Sequence, residues 1–221
     1  MSASAYKSTR VKPVSSRDSA ATREQLIRAV GTLLAREGFT ALGVNAVAKE
    51  AGVDKVLIYR YFGGLPELLG AFGRSGDYWP SFDELTGGDL DALKQLPPAE
   101  SITIGMQNYI RAIRRRPLTR EILAWEAVEP NELTRVLENI REEVSLKLFN
   151  ELKPGLDSVN ADVAAITALL AAAVNYLVIR SRTIRIFNTV DIRSDEGWKR
   201  LETAIVSICG QSFAARKTKK K

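Results

Sequence analysis

Residues 43–62 read GVNAVAKEAGVDKVLIYRYF, and this stretch decides the architecture. A helix over Val44–Glu50 turns Val47 and Ala48 inward. Ala51 is small enough for close helix contact, Gly52 supplies a tight turn and Val53 plugs the angle. Two short helices joined in this way form a helix-turn-helix. The spacing predicts the second helix over Asp54–Phe62, with Asp54 as its N-cap and Ile58 and Phe62, four residues apart, as its anchors. The other face then carries Lys55, Val56, Leu57, Tyr59 and Tyr61. A cation, two apolar groups and two phenols turned to solvent have little structural purpose. They suit a major groove, where apolar groups meet thymine methyls and Lys or Tyr meets phosphates or base edges.

Upstream, Thr22–Arg36 places Leu26, Ile27, Val30, Leu33 and Leu34 at helical spacing, behind Ser19 or Thr22 as N-cap and before Gly38 as a stop. Downstream, Pro66–Gly73 starts a fourth helix, and Gly87-Gly88 with Pro97-Pro98 frame a loop-like interval. Longer helices follow at Ser101–Arg116, Leu118–Glu129 and Asn131–Lys153, stopped by Pro117, Pro130 and Pro154-Gly155, and then at Asp162–Phe187 and Glu196–Phe213. No alternating run argues for a strand. The expected fold is all-α with about nine helices. It divides into a flexible basic arm at 1–18, a three-helix helix-turn-helix domain at 19–65, a larger helical domain at 66–215 and a basic tail at 216–221.

Charge is distributed in keeping with that division. The 221 residues are 45% hydrophobic and 26% charged, ordinary for a globular protein, with a net charge of +6. Residues 1–62 hold +5, residues 63–215 hold −4 and the last six hold +5, so the positive charge lies at the ends, where it attracts phosphate polyanions. The chain has no histidine and one cysteine, Cys209, which removes histidine-dependent triads, the usual catalytic zinc sites and an intrachain disulfide. With no paired carboxylates or activated nucleophile standing out, neither enzymatic activity nor a metal or cofactor is expected. Arg114-Arg115-Arg116 reads as a solvated helix C-terminus favoured by the helix dipole, and Glu142-Glu143 as a solvent-facing pair. The polar N-terminus lacks the apolar core of a secretory signal. Val163–Ile179, free of charge and with six alanines, reads as a helix buried on most sides within protein rather than a membrane span. The expected location is the cytoplasm.

Four motifs carry a resemblance: Arg36-Glu37-Gly38-Phe39 closing the first helix, Val47-Ala48-Lys49-Glu50-Ala51-Gly52-Val53, Ile58-Tyr59-Arg60-Tyr61-Phe62, and Leu68. In combination, over roughly residues 20–70, the sequence resembles the TetR family of bacterial transcriptional regulators. The resemblance implies a DNA-binding front domain and a C-terminal domain that dimerises and usually binds a small effector, most members being repressors released from operator DNA by ligand. It implies that Lys55, Val56 and Leu57 approach bases and that Tyr59 and Tyr61 bind phosphates of a near-palindromic duplex. Three departures stand out. The family often has Thr at the position of Gly43, small or hydroxyl residues at Val56 and Leu57, and a phosphate-binding Lys at Leu65. The arm residues Lys7, Arg10, Lys12 and Arg17 are candidates to compensate.

In the larger domain, Trp79, Phe82, Tyr109, Trp125, Phe149 and Tyr176 are candidates to line an effector cavity, with Gln107, Asn108, Glu126 or Asn175 orienting a ligand that is apolar or aromatic and neutral or cationic. The last helix carries a stripe of Trp198, Leu201, Ala204, Ile205, Ile208 and Cys209. Ala164, Ala168 and Ala172 permit close approach of another helix, and together these predict a homodimer seam. The expected function is a sequence-specific DNA-binding regulator. The alternatives are a ligand-independent regulator or nucleoid-associated protein, and a protein-interaction module whose helix-turn-helix has lost DNA affinity.

Overall fold

A computed structural model describes residues 16–214; the tail at 216–221 and most of the arm at 1–18 lie outside the described residues. The first helix, α1 (Ser16–Glu37), begins six residues before the expected start, because Asp18 in its first turn suits the helix dipole and Ala20-Ala21 are strong helix formers. Helices α2 (Val44–Ala51) and α3 (Val56–Phe62) fold back on it. Leu26, Val30, Leu34, Val47 and Ile58 are wholly buried between them. Gly52 makes the turn with φ of 66°, a left-handed conformation that costs glycine nothing, and Val53 N–H reaches back to the Ala48 carbonyl at 3.0 Å.

Helix α4 (Leu65–Gly73) joins this front piece to the body. Leu68, Leu69 and Phe72 are buried, and Gly73 lies so close to α9 (Glu132–Leu156) that a Cβ there would stand 2.4 Å from the Ile140 methyl. The interval read as loop-like, between Gly87-Gly88 and Pro97-Pro98, contains a short helix, α6 (Leu90–Gln95), and another, α5 (Phe82–Thr86), precedes it. Their caps were written in the sequence. Ser81 and Glu84 form a reciprocal capping box, and Asp89 accepts the Ala92 N–H at 2.9 Å. The remaining helices are α7 (Pro98–Arg114), α8 (Pro117–Glu126), α10 (Val163–Arg180) and α11 (Asp195–Ser212), so the described residues hold eleven helices rather than nine. The architecture is all-α with an N-terminal helix-turn-helix.

Four expectations need correction. Helix α9 runs through Pro154, because the lost N–H falls in an exposed last turn that the buried Leu152 and Leu156 hold against the body. Helix α10 stops seven residues early, and β1 (Ile186–Phe187) pairs antiparallel with β2 (Val190–Asp191) through a two-residue turn. Asn188 and Thr189 there have φ of 44° and 67°, as that turn requires. Arg116 is not a solvated terminus. It is nearly buried, gripping the Gly76 carbonyl at 2.9 Å and the Glu84 carboxylate at 2.6 Å. Helix α10 is not buried on most sides either. It is long and apolar enough to span a bilayer, yet it covers only Val163, Leu170, Val174 and Val178 and leaves Leu169 71% exposed.

The start of α11 is sterically tight. A Cβ on Gly197 would fall 1.8 Å from the Asp191 carbonyl oxygen, which is backbone and cannot swing away. Gly197→Ala is expected to push the hairpin off α11 and lower stability by about 1–3 kcal/mol, although alanine is the better helix former. Urea unfolding checks this, with Gly105→Ala, whose Cβ meets nothing within 4 Å, as the comparison that does not lose stability.

Candidate functional site

Helix α3 is two turns long, too short to persist on its own propensity, and contacts on it and on the end of α2 hold it in place. Asp54 Oδ1 accepts the Val56 N–H at 2.8 Å, as its place before the helix suggested. Ile58 is buried. The Arg23 guanidinium donates to the Tyr61 carbonyl and lies 4.5 Å over the Phe62 ring, and Gln25 Nε2 donates to the Ala51 carbonyl at 2.6 Å. At the far end, Arg36 bridges Glu37 and Glu50, and this hydrogen-bonded guanidinium holds the Glu50 carboxyl below its ordinary range.

What α3 offers to solvent is narrower than its sequence implied. Lys55 is exposed, Val56 is 60% exposed and Tyr59 56%, but Leu57 and Tyr61 are half-buried against the front core. Arg60, not among the expected residues, is exposed beside Tyr61, its guanidinium 5.9 Å from the ring centre. The signal for Arg60 was available, since a seven-residue helix with only Ile58 fully buried leaves most of its circumference wet. Leu65 is half-buried at the start of α4, and a Cβ at Gly43 would meet open space.

In the body, a cavity of about 860 Å3 opens between α7, α9 and α10. Trp79, Tyr109 and Phe149 stand in its wall, with Asn175, whose Oδ1 accepts the Tyr109 hydroxyl at 2.5 Å. Phe82, Trp125 and Tyr176 do not. Phe82 lies under the Lys147 ammonium, Tyr176 is exposed edge-on to Phe187, and Trp125 packs on the front piece. Gln107 and Asn108 are also outside the wall, Asn108 donating to the Leu85 carbonyl at 3.0 Å. Gly105 is part of the wall, and its missing side chain leaves room there. A glycine in mid-helix, unfavourable by about 1 kcal/mol against alanine, was the sequence's one sign of it.

The wall's cationic group is Arg141, which sequence reasoning passed over. Its Nη1 donates to Glu126 at 2.8 Å and to the Tyr78 hydroxyl, and the guanidinium lies 5.5 Å from the Trp79 ring centre. Glu126 sits behind Arg141 rather than in the wall. Burial pushes its carboxyl up while Arg141 pulls it down, and burial raises the Tyr78 and Tyr109 phenols well above their usual range. Glu138 and Glu142 are exposed at the rim, so the mouth is acidic.

The same helix that carries Glu126 supports the front piece. Trp125 packs against Gly38, where φ is 79° and a Cβ would stand 2.8 Å from the indole, and its Nε1 reaches the Ala35 carbonyl at 3.4 Å. Just beyond α8, the Glu129 carboxylate accepts the N–H groups of Phe39 at 2.7 Å and Thr40 at 3.1 Å.

A helix-turn-helix front piece thus packs through α1 and α4 onto a hollow helical body. Residues 24–72 match the family model for bacterial regulatory proteins of the tetR family, over the same stretch in which the sequence carries its resemblance. No curated protein matches the sequence. Solved structures share the fold over most of the chain. One is NalD of Pseudomonas aeruginosa, the secondary repressor of the MexAB-OprM multidrug efflux pump, with 17% identity, a TM-score of 0.63, and 90% of this chain and 98% of that one covered. A TetR family transcription regulator from Marinobacter aquaeolei VT8 has 17% identity and a TM-score of 0.59, covering 90% and 99%. FadR of Bacillus subtilis, solved with stearoyl-CoA, has 16% identity and a TM-score of 0.56, covering 86% and 99%. At these identities the likeness is one of fold.

The Arg141–Glu126 pair yields a prediction with a definite pH sign. Arg141→Met leaves a buried, unpaired carboxylate and should cost about 3–5 kcal/mol at neutral pH. The unpaired Glu126 then has a folded-state pKa above its unfolded value, so stability is lost as pH rises through the folded-state pKa and is recovered as pH falls to the ordinary carboxylate range. Adding Glu126→Gln should abolish that pH dependence. Urea unfolding of the three variants at two pH values decides it.

Proposed function

We propose that this protein is a sequence-specific DNA-binding transcriptional regulator, a repressor released from its operator by a small organic ligand held in the body cavity. The observation that carries the reading is the exposed face of α3 on a tetR-family front domain. Val56 and Tyr59 are large groups left in water by a structure that buries comparable side chains elsewhere, and Lys55 and Arg60 flank them with positive charge. Val56 offers a methyl contact to thymine, while Lys55, Tyr59 and Arg60 reach phosphate or base-edge acceptors. The half-buried Leu57 and Tyr61 act mainly by setting the tilt of α3.

The cavity supports the ligand half of the proposal. Its wall is largely apolar and aromatic, the Tyr109–Asn175 pair supplies a neutral polar anchor, and the acidic rim favours a neutral or cationic molecule. NalD's description as a repressor of a multidrug efflux pump is compatible with an apolar effector here. A ligand that displaces Arg141 displaces its partner Glu126, the neighbour of Trp125, which rests on the end of α1. The effect on DNA affinity is limited to the ligand's preference for the shifted body over the DNA-bound one.

Two such front domains are needed to read a near-palindrome, and α10 and α11 provide a face for pairing. Leu169, Tyr176, Val206 and Ile208 are exposed, and Ala165 and Ala172 on the same face of α10 as Leu169 and Tyr176 let helices approach closely, whereas Ala164 and Ala168 of the expected set line the cavity. Ile205, part of the expected seam stripe, is 7% exposed within one chain and so packs inward.

Lys55→Ala and Tyr59→Phe are each expected to weaken binding to the chain's own upstream DNA by about 1 kcal/mol, as single hydrogen bonds do, in a fluorescence anisotropy titration. If the double variant binds as tightly as the parent, the groove assignment to α3 is wrong. The same titration, repeated with hydrophobic and cationic compounds that alter tryptophan emission, reports operator release.

Leu169→Asp and Ile208→Asp place carboxylates on an exposed face, so the fold should survive them. Sedimentation is expected to show monomers with unchanged circular dichroism, and operator affinity should fall with dimerisation. A variant that still sediments as a dimer moves the seam elsewhere.

A further inference from the structure

We propose that the body carries a second site, distinct from the apolar cavity, that binds a phosphate group. A hollow of about 410 Å3 lies where α7 and α10 end and α8 and α11 begin. Arg114, Arg116, Arg120, Arg182 and Arg193 line it, and no carboxylate does. The acids that partner these arginines stand outside the wall. Asp195 holds Arg114 at 2.6 Å, Glu84 holds Arg116 at 2.6 Å, and Glu121 holds both Arg120 at 3.2 Å and Arg182 at 2.7 Å. Backbone carbonyls of Ser181 and Arg182 hold Arg193 at 2.7 and 2.9 Å. The guanidiniums are thus fixed from behind, and three carboxylates against five cations leave the hollow positive.

Ordinary helix capping does not account for the set. Arg114 and Arg182 lie at helix C-termini, where the dipole welcomes a cation. Arg120 lies in the first turn of α8, and Arg193 lies just before Ser194, the N-cap of α11. At those ends the dipole opposes a cation and favours an anion. Arg116 spends its donors on Gly76, Ala112 and Glu84. Arg114, Arg120 and Arg182 each engage one nitrogen, and their other donors find no acceptor among the described residues. One residue before Ser181 of the wall, Arg180 Nε is buried with no partner among the described residues. Clustered, pre-oriented guanidinium forks of this kind match the bidentate geometry of a phosphate. The occupant is a phosphate oxyanion, carried either by a small phosphorylated molecule or by a DNA backbone. Because Leu118 at the start of α8 contacts the α1 backbone region at Gly31, occupancy bears on the helix that supports the front domain.

Calorimetric titration of the full-length protein with inorganic phosphate and pyrophosphate, at ionic strength fixed with chloride, tests the assignment. Saturable binding is expected, weakened at least about tenfold, roughly one charge-assisted hydrogen bond, in Arg120→Gln and in Arg182→Gln. Arg28→Ala, which removes an exposed pair with Glu24 on α1, should leave it intact. Glu121→Gln frees two guanidiniums from their counter-charge and should tighten binding, a gain that misfolding cannot imitate. A parallel titration with duplex DNA of unrelated sequence separates the sources. If the Gln variants lose DNA affinity while the parent binds neither small anion, the backbone is the occupant. If phosphate, pyrophosphate and DNA all bind the parent, both Gln variants and Glu121→Gln alike, the site does not exist.

Discussion

The contact on which the body depends is the buried triad of Arg141, Glu126 and Tyr78. It ties α9 to the end of α8 and to the segment before α5, beside the large cavity. Tyr78 is held twice, because its carbonyl also accepts the Thr119 hydroxyl of α8. Burying a guanidinium and a carboxylate costs several kcal/mol per ion before their attraction returns it, so the pair adds little net stability against an apolar substitute. What it does is geometric. A cluster with fixed donors and acceptors cannot slide or collapse inward as a set of leucines would, and the cavity beside it stays open.

Helix α8 is the second consequence of that constraint. One end meets the arginine-lined hollow, its face carries Thr119 and Glu126 into the triad, and Trp125 with the following Glu129 grips the end of α1. These ten residues therefore link the arginine-lined hollow, the triad beside the cavity and the end of α1. Glu129 shows why the grip is firm. Its carboxylate satisfies two amide groups left without helical partners in the turn after α1, and such charge-assisted bonds are stronger than neutral ones.

Legibility differed sharply between the two domains. In Gly43–Phe62 every cue is local: the left-handed turn needs Gly52, the cap needs Asp54, and the anchors Val47 and Ile58 follow from periodicity. Here the helix-turn-helix reading holds, but the structure starts α3 at Val56 rather than Asp54, half-buries Leu57 and Tyr61 and exposes Arg60. In the body the cues were present but ambiguous. Ser81 and Glu84 carry the spacing of a capping box and start α5 just before Gly87-Gly88, and Pro154 announced a stop that Leu152 and Leu156 override by burial. Aromatic residues could be named as cavity candidates, but a ring in the core and a ring in a cavity wall have the same helical spacing. Tyr109 and Phe149 therefore could not be told from Phe82 and Trp125.

By itself the sequence determined the all-α class, the helix-turn-helix, its caps and the apolar stripes, because each is set by residues within a turn or two of one another. Tertiary structure alone decided which side of α10 stays exposed, that Arg116 is a nearly buried brace, and that Arg141 meets Glu126 and Tyr78. It also decided that arginines from α7, α8, α10 and the link to α11 converge on one hollow. Those meetings join residues 15 to more than 60 positions apart. Their energetics depend on burial and on the direction of each side chain, and no local periodicity encodes either.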